Sequence, residues 1–216
     1  MYVIVPQSTA LENSKEKIYF VRSPADEKAC IDAGYRRHER IYKVTYQHSD
    51  YAVHCPEYRD DEKGVEPVVF IPGFLVPGRR YPLEVYLYAI DIYSSNPEKG
   101  QRGAAEETRK RFGLATFAHT TLGRALKAFA NKVDPAGSVG GQGTSGGAGG
   151  VRQSLGEGAT PKKNAGFPTV QATWQMRGRA ARFLRRAVPQ PEGRAIAAAY
   201  REMAREWFRE HRRFLL

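Results

Sequence analysis

Cysteine is scarce in this 216-residue chain, with Cys30 and Cys55 the only two. Two thiols cannot build a disulfide framework. The N-terminal segment also lacks a basic stretch followed by an apolar core, so no secretory signal is expected. The expected setting is a reducing cytoplasm. Long apolar runs are missing too. Without about 18 consecutive apolar residues, no membrane span and no membrane partner are expected.

Charge is what the sequence has in excess. Lys and Arg number 34 against 23 Asp and Glu, a net of +11. A balance that basic favours polyanions, nucleic acid first. The excess is unevenly spread. Residues 1–135 hold 20 basic and 18 acidic side chains, whereas residues 174–216 hold eleven arginines, no lysine and four glutamates. Between these regions, residues 136–150 contain eight glycines in fifteen positions and no charge. That composition predicts a flexible linker, running over 135–170, that cannot bury enough surface to offset its ordering entropy.

Patterning divides the rest. Tyr2–Val5, Lys17–Arg22, Arg40–Tyr46, Tyr51–His54 and Pro67–Ile71 have the β-branched and aromatic bias of strands. From Pro82 the period changes, and Leu83, Tyr86, Leu87, Ile90 and Tyr93 recur at helical spacing. Gly103–Phe112 and Ala118–Asn131 are predicted as two further helices, the latter burying Ala118, Leu122, Ala125, Leu126 and Phe129. Beyond the linker, Gln171–Ala187 and Glu192–Leu215 are predicted as helices separated by Pro189 and Pro191.

The helices on either side of Phe112-Gly113-Leu114 match a helix-turn-helix, with Gly113 able to take the positive φ that a helix C-terminus requires. The turn is three residues longer than the tightest form. The same pattern also fits an ordinary α-hairpin with a solvated basic face. In the helix-turn-helix reading the second helix presents His119, Thr120, Thr121 and Gly123 to base edges, with Arg124 and Lys127 reaching phosphate or guanine. Arg109, Lys110 and Arg111 on the preceding helix would face the DNA backbone. Arg177, Arg179, Arg182, Arg185 and Arg186 lie within ten residues, interleaved with Phe183 and following Trp174. They fit a phosphate clamp, an amphipathic surface for lipid or a partner helix, or a solvated face on a packed hairpin.

Cys30-Ile-Asp-Ala33 and Cys55-Pro-Glu-Tyr58 each have the frame of a zinc knuckle whose second cysteine is replaced. Half the ligands are gone, leaving Cys30 and Cys55 as residual candidates. No cofactor is expected, zinc included.

Gly34-Tyr-Arg-Arg-His38, Phe70-Ile-Pro-Gly-Phe-Leu-Val-Pro77, Arg79-Arg-Tyr81 and Phe112-Gly-Leu-x-Thr-Phe-x-His-Thr-Thr-Leu-x-Arg124 follow one another in order. Together they resemble an uncharacterised bacterial family of short zinc-ribbon/helix-turn-helix proteins, similar to the N-terminal regions of insertion-sequence transposases. The resemblance covers roughly residues 28–130. It implies DNA binding, mobile-element ancestry and a cytoplasmic location.

Catalysis is not expected. Strand transfer needs three carboxylates holding two metal ions on a large sheet. After the helix-turn-helix the acidic residues are Asp134, Glu157, Glu192, Glu202, Glu206 and Glu210, with no alternating strands around them. A thiol phosphatase would need arginine six residues after Cys55, where Asp61 stands. Gly141-x-Gly143-x-x-Gly146 has neither the preceding strand nor the following helix of a dinucleotide site.

The expected protein is thus α+β. A small degenerate zinc-ribbon-like β-module (1–81) leads into a three-helix helix-turn-helix unit (82–134), a flexible Gly-rich linker (135–170) and an Arg-rich C-terminal helical hairpin (171–216). The expected activity is noncatalytic binding of double-stranded DNA by helix 118–131. The alternatives are a protein-interaction module or an inactive transposase remnant without DNA binding.

Overall fold

The computed structural model describes residues 2–5, 17–21, 27–60, 64–96, 98–134, 170–188 and 195–216. Among them are five strands in one sheet and six helices, an α+β arrangement. Most of the expected linker lies outside the described residues.

The sheet is organised by a long hairpin. Strands β3 (Arg36–Tyr46) and β4 (Ser49–Arg59) pair antiparallel along their whole length, from Arg36 opposite Arg59 to Tyr46 opposite Ser49. Their two-residue turn has positive φ at both Gln47 (44°) and His48 (59°), the backbone whose twist matches a tight hairpin. With β3 filling one edge of β4, the other edge is shared. Strand β2 (Ile18–Phe20) pairs parallel with residues 52–54, and β5 (Val68–Pro72) pairs antiparallel at Glu57 and Tyr58. Strand β1 (Tyr2–Val5) lies parallel to β5 at the sheet edge.

The sequence predicts β4 to stop at His54, before Cys55-Pro56, yet the strand continues five residues further. The amide of Val21 donates to the His54 carbonyl and that of Ala52 donates to the Lys17 carbonyl, so even-numbered residues of β4 face the β2 edge. Pro56 therefore turns its missing N–H toward the gap between β2 and β5, where no ladder bond is lost. A short helix that the sequence reading did not predict, α1 (Glu27–Asp32), precedes β3. Its end is closed by amides of Gly34 and Tyr35 donating to Ile31 and Cys30 carbonyls.

Helices α2 (Leu83–Ser95), α3 (Gln101–Arg111) and α4 (His119–Val133) follow β5, each within two residues of its predicted start. The proline-bounded segment between sheet and helices is core: Phe70, Ile71, Phe74, Leu75 and Val76 are all buried. Tyr81 joins the layers, its ring edge-on to Tyr86 and Phe117 and its hydroxyl donating to the Thr116 carbonyl.

Helices α5 (Val170–Ala187) and α6 (Ala195–His211) pack onto α2 and α4. Phe129 of α4, Phe183 of α5 and Trp207 of α6 form an edge-to-face chain with centroids 5.6 and 5.5 Å apart. Tyr200 donates a 2.9 Å hydrogen bond to Asp91 of α2, and burial together with that carboxylate holds its phenol well above the ordinary range. Buried residues of sheet, α2–α4 and the C-terminal helices belong to one continuous apolar cluster.

Candidate nucleic-acid interface

The α3–α4 connection is built on Gly113. At φ +55° it closes α3 with two bonds, its own amide donating to the Lys110 carbonyl (3.3 Å) and that of Leu114 donating to the Arg109 carbonyl (2.9 Å). This is the paired C-terminal arrangement that glycine favours. Leu114 and Phe117 are buried below it and set where α4 begins. The first turn of α4 contains no acidic residue, and Ala118 at its cap provides no side-chain hydrogen bond. The His119 and Thr120 amides are thus the kind of uncapped donors that bond to phosphate oxygens, while that of Thr121 donates to the Ala118 carbonyl at 3.0 Å.

Along α4 the two faces separate cleanly. Leu122, Ala125, Leu126, Phe129 and Ala130 are buried, whereas Ala118, expected on this face, is the exposed cap residue ahead of the helix and has no helical face to share. Thr120, Arg124, Lys127 and Asn131, spaced four, three and four residues apart, are exposed, as is His119. Thr121 is half-buried. Gly123, expected to face bases, instead faces α3, where an added Cβ would stand 3.4 Å from Gln101 Oε1.

The basic residues fall into two populations. Arg124 and Lys127 make no ion pair among the described residues, and neither does Arg111. Arg109 is held by Glu106 through two bonds of 2.9 and 2.7 Å, and Lys110 Nζ stands 3.7 Å from the same carboxylate. On α5, Arg182, Arg185 and Arg186 are exposed. Arg177 is different. It is 6% exposed, donates to the carbonyls of Tyr93 (2.7 Å) and Asn96 (2.8 Å), and lies over the rings of Tyr93 and Trp174. Placed among the phosphate contacts by its sequence, Arg177 is a buried brace that closes the C-terminus of α2. Arg179, with a 10% exposed side chain, sits 3.7 Å from Asp134 at the end of α4. Neither of these two guanidiniums faces solvent as a clamp requires.

The two cysteines stand apart from this surface. Cys30 lies on α1, and Cys55 is fully buried in mid-β4. Burial, with Glu39 adding, pushes the Cys55 thiol up to about 12, which makes it a poor nucleophile. Tyr58, where a knuckle would carry its second cysteine, is buried and donates its hydroxyl to Glu27 of α1. Glu27 in turn accepts from Arg37 at 3.0 Å. The adjacent Glu57 is wholly buried and bonded to Arg40 (3.2 and 2.5 Å) and Arg59 (2.9 Å). Among the described residues, no three His, Cys, Asp or Glu side chains are grouped to share a metal ion.

A second basic site escaped the sequence reading. A cleft of ≈1090 Å³ opens between β1, the C-terminal end of α4 and the end of α6. Lys132, Arg205, Arg209, Arg212 and Arg213 line it, against Glu66. Residues from four distant segments meet there, so no local spacing could have signalled it. The only available sign was the density of arginine near the C-terminal end of α6.

Among the described residues, no helix is long and apolar enough to cross a membrane. Comparisons with family models, curated proteins and solved structures return no match for this chain.

Proposed function

We propose that this chain is a noncatalytic double-stranded DNA-binding protein of transposase-related ancestry, in which α3 and α4 act as a helix-turn-helix and α4 enters the major groove. The reading rests on one observation: the outward row Thr120, Arg124, Lys127 and Asn131 is polar and basic, and its two cations have no ion pair among the described residues. Opposite charges one turn apart on a helix pair with each other, as Arg109 and Lys110 do with Glu106, and α4 contains no carboxylate to pair with Arg124 and Lys127. His119, Thr120 and Arg124 would lie nearest the bases, with Lys127, Arg111 and the exposed arginines of α5 on flanking phosphates. Degenerate zinc-ribbon strands ahead of the helices belong to the same reading, with Tyr58–Glu27 doing what a metal would do in pinning α1 to β4.

Selection from a randomised duplex pool at about 150 mM salt tests it. Enrichment of a motif is expected. Arg124→Ala should then weaken binding to that motif by about 1–3 kcal/mol and relax its preference at one position. Lys127→Ala should weaken every duplex alike and lower the salt slope by about 1. Recovery of no duplex would overturn the proposal.

One observation favours the rival, a protein-interaction module. Phe20 (63% exposed) and Ile41 (54% exposed) flank His54 across β2, β4 and β3, an apolar patch on the outer face of the sheet. A folded protein silent toward DNA that self-associates until Phe20→Ser is introduced would support that reading.

A further inference from the structure

The cleft beside β1 has a composition that the fold alone does not account for. Five cations face one carboxylate there. Arg205 and Arg209 are paired with Glu202 and Glu206, one turn back on α6. Arg212 and Arg213 are exposed and make no ion pair among the described residues. Arg212 also has φ +54°. Its amide closes α6 by donating to the Phe208 carbonyl at 2.8 Å, a position where glycine or asparagine is normally used. Keeping arginine at a backbone conformation that L-residues rarely adopt is the kind of local strain that clusters at ligand sites.

The floor of the cleft is aromatic. Tyr2 meets Phe214 edge-on at 5.3 Å, and Phe214 meets Phe208 at 5.0 Å. Cations beside clustered aromatic rings suit a ligand with a flat base at one end and several negative charges at the other. A concave floor of this kind reaches only a base that is already unstacked, which excludes an intact duplex. We infer that this cleft binds a nucleotide phosphate, its base on Phe214 and its phosphate oxygens on Lys132, Arg212 and Arg213. Burial, with Arg79 and Arg213 adding, lowers the Lys132 ammonium below its usual range. An anion in the cleft would relieve that repulsion.

The site is separate from the base-reading residues, since Lys132 lies eight residues beyond Arg124 on α4, about 12 Å at the helical rise. Such a nucleotide could be free or be the end of a single strand, and two probes separate these sources: ADP and 5′-phosphorylated octathymidylate, each titrated by calorimetry into the full chain at low salt. Binding of ADP assigns a free nucleotide, and binding of the oligonucleotide with weak ADP assigns a strand end. In either case the double variant Arg212→Gln/Arg213→Gln should weaken binding at least tenfold, and Phe214→Leu should weaken it at least fivefold. Circular dichroism checks that both variants stay folded. Arg124→Ala should leave this binding unchanged, so the cleft and the duplex interface fail separately. No heat from either probe at about 1 mM, or binding that the double variant does not weaken, would overturn the inference. Inorganic pyrophosphate binding as tightly as ADP would overturn the role given to the aromatic floor.

Discussion

Helices α4 and α5 lie against each other, and each has an apolar stripe with basic residues around it, yet their charges are used in opposite ways. On α4, Arg124 and Lys127 stand outside and are left to solvent. On α5 the first two arginines are drawn into the protein, Arg177 by the end of α2 and Arg179 by Asp134. Counting arginines therefore overstates the surface available to a polyanion. What matters is whether a carbonyl or carboxylate of the fold reaches the guanidinium first, because a desolvated charge must be satisfied internally.

Breaking the inward side of this contrast should cost most. Arg177→Met removes two charge-assisted bonds and leaves two carbonyls unpaired, an expected loss of about 3 kcal/mol. A thermal melt should then shift down by roughly 6–12 °C for a chain of this size. An unchanged melting temperature would show that Arg177 does not brace α2.

Glu57 tests the same logic in the sheet and is expected next in size. Burial alone would raise its pKa, but hydrogen bonds from Arg59 and Arg40 outweigh that and hold the carboxyl below its ordinary value. A depressed carboxylate contributes stability above its unfolded pKa, about 4.3, and loses it as pH falls through the folded value. Denaturant midpoints measured downward from pH 5 should fall, and Glu57→Gln should flatten that dependence. At neutral pH the variant should cost about 2 kcal/mol, since Arg40 and Arg59, 35% and 47% exposed, regain water when left unpaired.

Gly113→Ala should cost about 1 kcal/mol, through backbone strain alone. The nearest atom to the added Cβ would be His48 Nε2 at an ordinary 3.5 Å. Urea titration reads this loss, and Gly113→Asn should recover part of it. Smallest of all, Arg182→Ala on the outer side of α5 should stay within about 0.5 kcal/mol in the same assay, because that side chain is exposed. A loss comparable to that of Arg177→Met would erase the distinction between the two sets of arginines.

Much of the architecture was legible because its signals are local. The apolar spacing of Leu122, Ala125, Leu126 and Phe129 indicates a helix with one buried face, and α4 buries those residues. Gly113 marks a helix end, and its backbone has the positive φ expected there. Where local signals misled, a neighbouring strand was responsible. Cys55-Pro56 reads as a stop, but Pro56 falls opposite a gap that only the placement of β2 and β5 creates. Helix α1 is six residues long, too short to show a period. Its attachment through Glu27 to Tyr58 spans 31 residues.

The sequence by itself determined the α+β class, the positions of the longer helices, the Gly113 turn and the outward placement of Arg124 and Lys127 on α4. Each depends on periodicity or on the φ preference of one residue, and both are properties of a few consecutive positions. Tertiary structure alone decided which arginines are committed and which are left outside. The bonds that hold Arg177 join it to Tyr93 and Asn96, 84 and 81 residues away. It also decided the basic cleft, where β1, α4 and α6 each contribute part of the lining and none has a site without the others.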